Sequence, residues 1–260
     1  MARRKSKQER LEQTVSVLQT RFGARAIQQG VRTPTSVPHL ATGFWELDTA
    51  LGIGGIPRGK MTVLAGTATS GKRTLAALLL ARAQGVKRRP VAYVDLAQTC
   101  DAEYLERCGV DLESVLVARP KDSRQALDLL LSLAERRDWA AVVFDHWAAL
   151  VADAATQRYA VVALDQLTAR LAQSEGTLIV LDETPRGGIW NWLLGDPARD
   201  ALGQHSAVRL ALRRESWLDL GRDVRGYRVE VKVEKNKLGP SGKAVTVEIR
   251  FNGVVRGDGI

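Results

Sequence analysis

The sequence predicts an α/β fold in which a mostly parallel, twisted sheet carries helices on both faces. Three observations lead to this prediction. A glycine-rich loop at residues 66–73 lies between a short apolar run and a segment rich in Ala and Leu. Beyond it, apolar runs of strand length alternate with segments of helical periodicity as far as residue 181. The last third changes to an alternation with a period of two, which is typical of antiparallel strands.

Composition places the chain among globular proteins. Its 260 residues are 45% hydrophobic and 26% charged, which is enough apolar material for one main domain with a packed core. The formal net charge of +9 is typical of a protein that binds polyanions, and nucleic acid is the first candidate. A basic composition that serves only solubility is an equally weighted alternative.

Cysteine usage and hydropathy favour a cytoplasmic protein. Cys100 and Cys108 are the only cysteines and lack the spacing of a zinc site, which argues against structural zinc and against a disulfide framework. The basic N-terminus is not followed by the apolar segment of a signal peptide, and no run of about 18 apolar residues occurs. We therefore expect neither secretion nor a membrane partner.

The N-terminal segment predicts a helix that follows a basic arm. Residues 1–8 are basic and polar, and a stripe of apolar side chains at helical spacing then ends near Gly23. The stripe consists of Leu11, Val15, Leu18 and Phe22. Because a connector at residues 32–38 separates this helix from the rest of the chain, the stripe docks either on a neighbouring subunit or on its own core. The pattern favours neither alternative.

The connector also predicts the boundary between the two parts of the chain. Residues 1–38 comprise the arm, the helix and the linker, and residues 39–260 comprise the α/β core. Within the core, strands are predicted at residues 61–65, 91–94, 116–118, 140–144, 178–181, 207–212, 228–233 and 245–251. Helices are predicted at residues 74–83, 126–135 and 161–173.

The strongest motif is Gly-Thr-Ala-Thr-Ser-Gly-Lys-Arg at residues 66–73, between a predicted strand and a predicted helix. Its glycines let backbone N–H groups surround phosphates, and the N-terminus of the helix adds a partial positive charge. The lysine of such a P-loop reaches the β and γ phosphates of ATP. We therefore expect ATP or ADP as the ligand. The residues expected to contact it are Gly66, Thr69, Ser70, Gly71, Lys72, Arg73 and Thr74.

One position of the P-loop argues against magnesium. The residue after Lys72 is expected to be Ser or Thr, whose hydroxyl binds Mg²⁺, but it is Arg73, which has no lone pair for a cation. Thr74 is rotated by about 100° around the helix and does not simply replace that hydroxyl. We therefore expect the guanidinium to contact phosphate oxygens directly and metal-assisted hydrolysis to be impaired.

Asp145 is the candidate metal-binding carboxylate. It ends the apolar run Ala-Ala-Val-Val-Phe, a predicted strand about 70 residues after the P-loop in the alternating pattern of strands and helices. An acidic residue at this position is typical of a Walker B strand, where it holds the metal. The alternative is that Asp145 caps the N-terminus of a helix.

These motifs form part of a longer pattern that resembles the RecA family. The pattern runs through ATGFWELDTALGIGGIPRGKMTVLAGTATSGKRT, YVDLAQTCDAEYLERCGVD, FDHWAAL, SAVRLALRR and VEKNKLGP. It also includes the N-terminal helix LEQTVSVLQTRFG, so that the resemblance covers nearly the whole chain. The resemblance implies a RecA-like P-loop NTPase core, an N-terminal helix that docks protomers, and a role in DNA repair or recombination.

Residue by residue, the resemblance implies a retained nucleotide pocket with altered hydrolytic groups. Ala97 stands where the family has the acidic residue that activates water, and a methyl group cannot act as a general base. Asp101 and Tyr104 match the residues that contact adenine. Lys235 and Lys237 match the pair that reaches the nucleotide of a neighbouring subunit.

The resemblance also locates two loops that contact DNA in the family. The first follows Leu150 and is shorter here. The second follows Leu181, where Glu183 replaces a Gln that senses the γ phosphate, and its negative charge would repel phosphate. The residues expected to contact DNA or a protein partner are Arg158, Arg186, Trp190, Trp192 and Arg199. Stacking on bases, anchoring of a protein partner and packing within the loop are the alternatives for the two tryptophans.

The combined pattern leads to the hypothesis of a degenerate RecA paralogue, similar to ImuA-type accessory proteins in the SOS response and translesion synthesis. Its partners would be RecA or a second copy, bound through the N-terminal helix, translesion polymerase subunits, or single-stranded DNA. The alternatives are an active recombinase that forms ATP-dependent filaments on single-stranded DNA, and a basic DNA-binding module. The chain ends at Ile260, so the family's separate C-terminal duplex-binding domain is expected to be absent.

Overall fold

The chain divides into the units Met1–Ser36 and Val37–Ile260 in a computed structural model. The described residues are 10, 13–21, 37–87, 89–150, 154–183, 197–220, 223–251 and 255–257. No helix among them is long and apolar enough to span a lipid bilayer.

The first unit contains helix α1, which covers residues 13–21. Val15 and Leu18, which the predicted apolar stripe places on one face, are half-buried, whereas Val17 is 67% exposed. The other two members of the stripe, Leu11 and Phe22, lie outside the described residues. The docking partner of this stripe therefore stays a prediction.

The second unit contains a sheet of nine strands within the described residues. In chain order the strands of this unit are β1 (His39–Leu40), β2 (Ile56–Pro57), β3 (Met61–Gly66), β4 (Val91–Asp95), β5 (Val115–Ala118), β6 (Ala141–Asp145), β7 (Thr177–Glu183), β8 (Val208–Leu220), β9 (Asp223–Asn236), β10 (Ala244–Phe251) and β11 (Val255–Gly257). The sheet has the order β11-β10-β9-β8-β3-β7-β6-β4-β5, and β1 pairs with β2 separately.

Helices connect these strands. They are α2 (Trp45–Leu51), α3 (Lys72–Lys87), α4 (Ala102–Arg107), α5 (Ser123–Glu135), α6 (Trp147–Leu150), α7 (Ala154–Leu171) and α8 (Pro197–His205), with a short 3₁₀ helix at Leu112–Ser114. Strands β8, β3, β7, β6, β4 and β5 run parallel, and β9, β10 and β11 continue the sheet in antiparallel fashion. The predicted fold class is confirmed.

Each face of the sheet is covered by its own apolar layer. Alternate residues of β3 point to opposite faces, so that Leu64 belongs to the cluster with Leu79 of α3, and Val63 belongs to the cluster with Leu164 of α7. All four side chains are fully buried. Continuous apolar runs are required for strands that are covered on both faces, which explains why the parallel strands lack alternation in sequence.

Several boundaries differ from the predicted ones for local physical reasons. Strand β7 extends beyond residue 181 and includes Glu183, which therefore ends a strand and is not part of the following loop. The β8–β9 hairpin is longer than predicted, because cross-strand ion pairs such as Arg213 with Glu230, at 3.0 Å, hold its polar part outside the core. Helix α3 begins at Lys72, within the glycine loop motif.

The layered core leads to a stability prediction for matched leucines. Leu64 is fully buried in β3, whereas Leu116 is 42% exposed on the edge strand β5. We expect Leu64→Ala to lower the free energy of unfolding by about 2–5 kcal/mol, because it removes apolar contacts and leaves a cavity. We expect Leu116→Ala to lower it by less than about 1 kcal/mol. Urea denaturation followed by circular dichroism measures the free energy of unfolding of both variants. Equal decreases would contradict the placement of Leu64 in the core and of Leu116 on an edge strand.

Candidate functional site

The glycine loop lies at the carboxyl end of β3 and leads into α3, as the motif predicts. Gly66 is required by packing, because a Cβ there would lie 2.4 Å from Ser70 Oγ and 2.6 Å from the Leu212 carbonyl oxygen. Gly71 has a φ of +90°, a conformation that favours glycine. Residues 67–69 are exposed. The loop is therefore tightly packed at Gly66 and exposed at residues 67–69, beside the N-terminus of a helix. This geometry is suited to binding phosphate.

The P-loop lysine is folded against the loop. Lys72 Nζ donates to the carbonyl oxygens of Gly66, at 3.2 Å, and Thr67, at 2.8 Å, and lies 3.5 Å from Glu183 Oε1. The Lys72 side chain is only 2% exposed. Burial lowers the pKa of Lys72, and the Glu183 carboxylate opposes this shift. The ammonium group is thus held by two carbonyls and one carboxylate of its own chain.

Arg73 forms a partly buried ion pair with Asp145. Its Nε donates to Asp145 Oδ2 at 2.8 Å, and the Tyr93 hydroxyl donates to the same oxygen at 2.9 Å. The Asp145 side chain is 1% exposed, whereas Arg73 is 37% exposed. Burial, with the adjacent Asp145 carboxylate, raises the pKa of Tyr93, so that the phenol stays a donor. Among the described residues, Asp145 Oδ1 is buried without a hydrogen-bond partner.

The contacts of Asp145 bear on one of its two predicted roles, that of a helix cap. Asp145 is the last residue of β6, and its carboxylate bonds the P-loop arginine rather than the backbone of a following helix. The N-cap alternative is therefore wrong, and metal binding by Asp145 stays a prediction. His146 follows with a φ of +74°, a conformation that costs a non-glycine residue energy.

The Thr74 hydroxyl is hydrogen-bonded to two tyrosines and not to the exposed part of the glycine loop. Thr74 Oγ1 accepts a hydrogen bond from Tyr227, at 2.7 Å, and shares one with the Tyr104 hydroxyl, at 2.6 Å. A P-loop magnesium ion needs a Ser or Thr hydroxyl directly after the lysine, together with a carboxylate. The side chains present do not fit that ligand set. Among the described residues, no group of three or more His, Cys, Asp or Glu side chains is arranged for a metal ion elsewhere.

Asp95, at the end of β4, is a second buried carboxylate whose partners belong to the same chain. It accepts hydrogen bonds from the backbone N–H groups of Thr99 and Cys100, both at 2.9 Å, and lies 3.5 Å from Arg119 Nε. Ala97 lies in the turn that follows β4 and is half-buried. Because Asp95 is fully buried and already has two hydrogen bonds and an ion pair, it is not available as a general base in place of Ala97.

Asp182, near the end of β7, is the centre of a second ion-pair network. Its carboxylate binds Arg199 at 3.1 Å and Arg209 at 3.0 Å, and Arg209 continues to Glu234 at 3.1 Å. Arg199 also donates to the backbone carbonyl of Glu183 at 2.9 Å. Asp182 is fully buried. The network therefore fixes the end of β7 against α8 and β8.

The predicted adenine-contacting residues lie on α4, next to the P-loop helix. Asp101 caps α4, where it accepts from the backbone N–H groups of Glu103, at 3.0 Å, and Tyr104, at 3.3 Å. The Tyr104 hydroxyl reaches Thr74, and burial raises the pKa of Tyr104. The structure thus brings both residues to the side of the glycine loop, and their contact with adenine stays a prediction.

The two lysines that the resemblance assigns to a neighbouring nucleotide, Lys235 and Lys237, lie at the edge of the sheet opposite the glycine loop. Lys235 Nζ donates to the carbonyl oxygens of Gly203 and Gln204, and Lys237 Nζ donates to Gln204. These carbonyls belong to the last turn of α8, where a helix carries partial negative charge. The register of β9 on β8 places both lysines near the amino end of β3, away from the glycine loop of the same chain.

The predicted DNA-binding or partner-binding residues are only partly described. Arg186, Trp190 and Trp192 lie outside the described residues. Arg158 is exposed on α7. Arg199 is in α8 and is used internally, in the Asp182 network. Contact of these residues with DNA or a protein partner stays a prediction.

Sequence reasoning missed four side chains that shape the site. They are Tyr93, Asp182, Arg209 and Tyr227. Asp182 had a signal, because it ends the apolar run Leu-Ile-Val-Leu just as Asp145 ends its own run. Tyr227 had no such signal in the sequence, since it belongs to a strand far from the glycine loop along the chain. Its ring nevertheless packs against the loop, because a Cβ on Gly71 would lie 3.1 Å from it.

Comparison with known proteins gives a consistent result over nearly the whole chain. The family described as RecA N-terminal domain matches residues 9–256. Protein RecA of Rubrobacter xylanophilus is 33% identical over 94% of this chain and 75% of that protein. Protein RecA of Thermus aquaticus is 34% identical over 95% and 77%, and that of Streptomyces venezuelae is 32% identical over 96% and 70%.

The Asp182 network leads to a stability prediction for matched aspartates. Asp182 is fully buried with two arginines, whereas Asp138 is 56% exposed and pairs with Arg136 at 3.4 Å. We expect Asp182→Asn to lower the free energy of unfolding by about 3 kcal/mol, because two partly buried guanidinium groups lose their counter-charge. We expect Asp138→Asn to change it by less than about 1 kcal/mol. Thermal and urea denaturation measure both, and a neutral Asp182→Asn would show that the network does not hold β7.

Proposed function

We propose that this chain, which belongs to the RecA family, is a DNA repair or recombination protein that binds nucleotide without magnesium and does not hydrolyse it. The observation that carries the proposal is the ion pair between Arg73 and Asp145, at 2.8 Å. A guanidinium group stands beside the carboxylate to which a magnesium ion would be bound in a working P-loop enzyme. The positive charge beside Asp145 therefore comes from the Arg73 side chain instead of a metal ion.

The residues of the loop then have distinct roles towards a nucleotide. The backbone N–H groups at the start of α3 hold phosphate oxygens. Arg73 uses Nε for Asp145, and its 37% exposure leaves the outer guanidinium nitrogens able to donate to phosphate. Asp101 and Tyr104 contact the base. Bound ATP or ADP would supply the phosphate groups and the base that these side chains recognise.

Loss of hydrolysis follows from two positions. Ala97 has no group that accepts a proton from water. Arg73 stabilises charge but, unlike a metal ion, does not coordinate the β and γ oxygens at the same centre. The retained pocket therefore supports a regulatory use of nucleotide rather than turnover.

An accessory role fits the remaining features. Lys235 and Lys237 lie at the opposite end of β3 from the glycine loop, so any nucleotide that they contact would be bound to another molecule. Together with the net charge of +9, this supports assembly with RecA or with a second copy, and contact with single-stranded DNA. We assign the chain to the cytoplasm and to the SOS response or translesion synthesis, with a polymerase subunit as a further candidate partner.

A second candidate function is that of an active recombinase. Identities of 32–34% to proteins named RecA over 94–96% of this chain favour it. This function requires ATP-dependent filaments on single-stranded DNA and strand exchange, which electron microscopy and a strand-exchange assay detect. Lack of both removes this candidate, whereas brisk ATP hydrolysis stimulated by single-stranded DNA removes the first.

The proposed function predicts that nucleotide binding is independent of metal. We expect the Kd of the purified full chain for ADP, measured by calorimetry, to differ by less than about twofold between Mg²⁺ and EDTA. Arg73→Thr restores a hydroxyl after Lys72 and frees Asp145, so we expect this variant to bind more weakly in EDTA and to gain affinity when Mg²⁺ is added.

Arg119→Thr is the matched control, since Arg119 pairs with Asp95 at the same edge of the sheet without belonging to the loop. We expect its binding to stay independent of metal. Two results would show that the Arg73 guanidinium does not take the place of the magnesium ion. One is that the wild-type chain requires Mg²⁺ to bind nucleotide, and the other is that the affinity of Arg73→Thr does not change with Mg²⁺. Absence of nucleotide binding under every condition would remove the proposed function itself.

A further inference from the structure

We infer that the site takes a nucleoside diphosphate in preference to a triphosphate, because the Glu183 carboxylate occupies the place at Lys72 that a terminal phosphate needs. This inference rests on the proposed nucleotide binding. In this inference Glu183 determines the preference between diphosphate and triphosphate, and the argument depends on where its carboxylate lies.

The backbone of Glu183 is fixed beside the glycine loop. Glu183 is the register partner of Gly66 across the parallel pair of β7 and β3. Its carbonyl oxygen accepts a hydrogen bond from Arg199 at 2.9 Å, and the preceding residue, Asp182, is anchored by two arginines. Movement of this strand end would break the buried network, so that the Glu183 side chain can leave the loop only by its own rotation.

The side chain of Glu183 points to the loop lysine. Its Oε1 lies 3.5 Å from Lys72 Nζ, which is 2% exposed and also donates to the carbonyls of Gly66 and Thr67. In a P-loop, the lysine neutralises the terminal phosphates. Here its positive charge is already matched by a carboxylate at contact distance. Glu183 thus acts as an internal anion in place of a terminal phosphate.

A diphosphate and a triphosphate meet this carboxylate differently. The first two phosphates can be held by the N–H groups at the start of α3 and by Arg73, without displacing Glu183. A third phosphate approaches Lys72, where it adds negative charge next to the Glu183 carboxylate. Because Glu183 is 35% exposed, its side chain can turn towards solvent, but it then gives up its pairing with Lys72. Triphosphate binding is therefore weakened rather than abolished.

The test compares the affinities of ADP and ATP for the full chain by calorimetry in EDTA. We expect wild-type chain to prefer ADP by about tenfold, which corresponds to about 1.4 kcal/mol. Glu183→Gln keeps the size of the side chain and removes its charge. We expect this variant to bind ATP about tenfold more tightly than wild type, with little change for ADP.

Glu230→Gln is the matched control. Glu230 has a similar exposed fraction, 33%, and pairs with Arg213 on the β8–β9 hairpin. The control removes the same negative charge elsewhere, and we expect it to leave the ratio of the two affinities unchanged. If Glu230→Gln reproduced the effect of Glu183→Gln, the preference would come from net charge and the inference would be wrong.

Other outcomes separate this inference from the proposed function. Equal affinities of wild-type chain for ADP and ATP in EDTA would overturn the inference and leave metal-independent binding intact. An equal gain for both nucleotides in Glu183→Gln would do the same. Binding of neither nucleotide to wild type would overturn both. The wild-type ratio alone decides the question if Glu183→Gln does not fold, which circular dichroism shows.

Discussion

The structure depends on how charge is balanced at the carboxyl edge of the parallel sheet. Buried carboxylates lie at or next to the ends of neighbouring strands there, and their like charges would repel one another unless each had a counter-charge. Asp145 is paired with Arg73, Asp95 with Arg119, and Asp182 with two arginines. Each carboxylate therefore has a basic side chain of the same protein as its counter-charge, and the ion pair of Arg73 with Asp145 joins the glycine-loop motif to the end of β6.

This balance connects the fold to the proposed chemistry. In a P-loop enzyme the corresponding carboxylate is kept for a metal ion, which activates the terminal phosphate. Here the guanidinium of Arg73 supplies the positive charge permanently, and the Glu183 carboxylate matches the charge of Lys72 at 3.5 Å. Under the proposed function, the pocket that holds a reacting triphosphate in a P-loop enzyme would here hold a nucleotide that does not react.

Much of this could be predicted from local sequence. The glycine loop between a strand and a helix, the replacement that places Arg73 after Lys72, and the terminal position of Asp145 are all patterns within short segments. What could not be predicted are contacts between distant segments. Tyr227 reaches the loop from β9, and no local periodicity relates it to Gly71. The internal use of Arg199 also depends on how α8 packs, whereas its sequence context suggested an exposed loop.

A double-mutant cycle on Arg73→Met and Asp145→Asn tests the central claim most directly. The free energy of unfolding is measured for wild type, both single variants and the double variant in the absence of nucleotide and metal. A coupling of about 1 kcal/mol or more would show that the guanidinium and the carboxylate stabilise each other as an ion pair. Additivity within about 0.3–0.5 kcal/mol would contradict it, because the two side chains would then act independently.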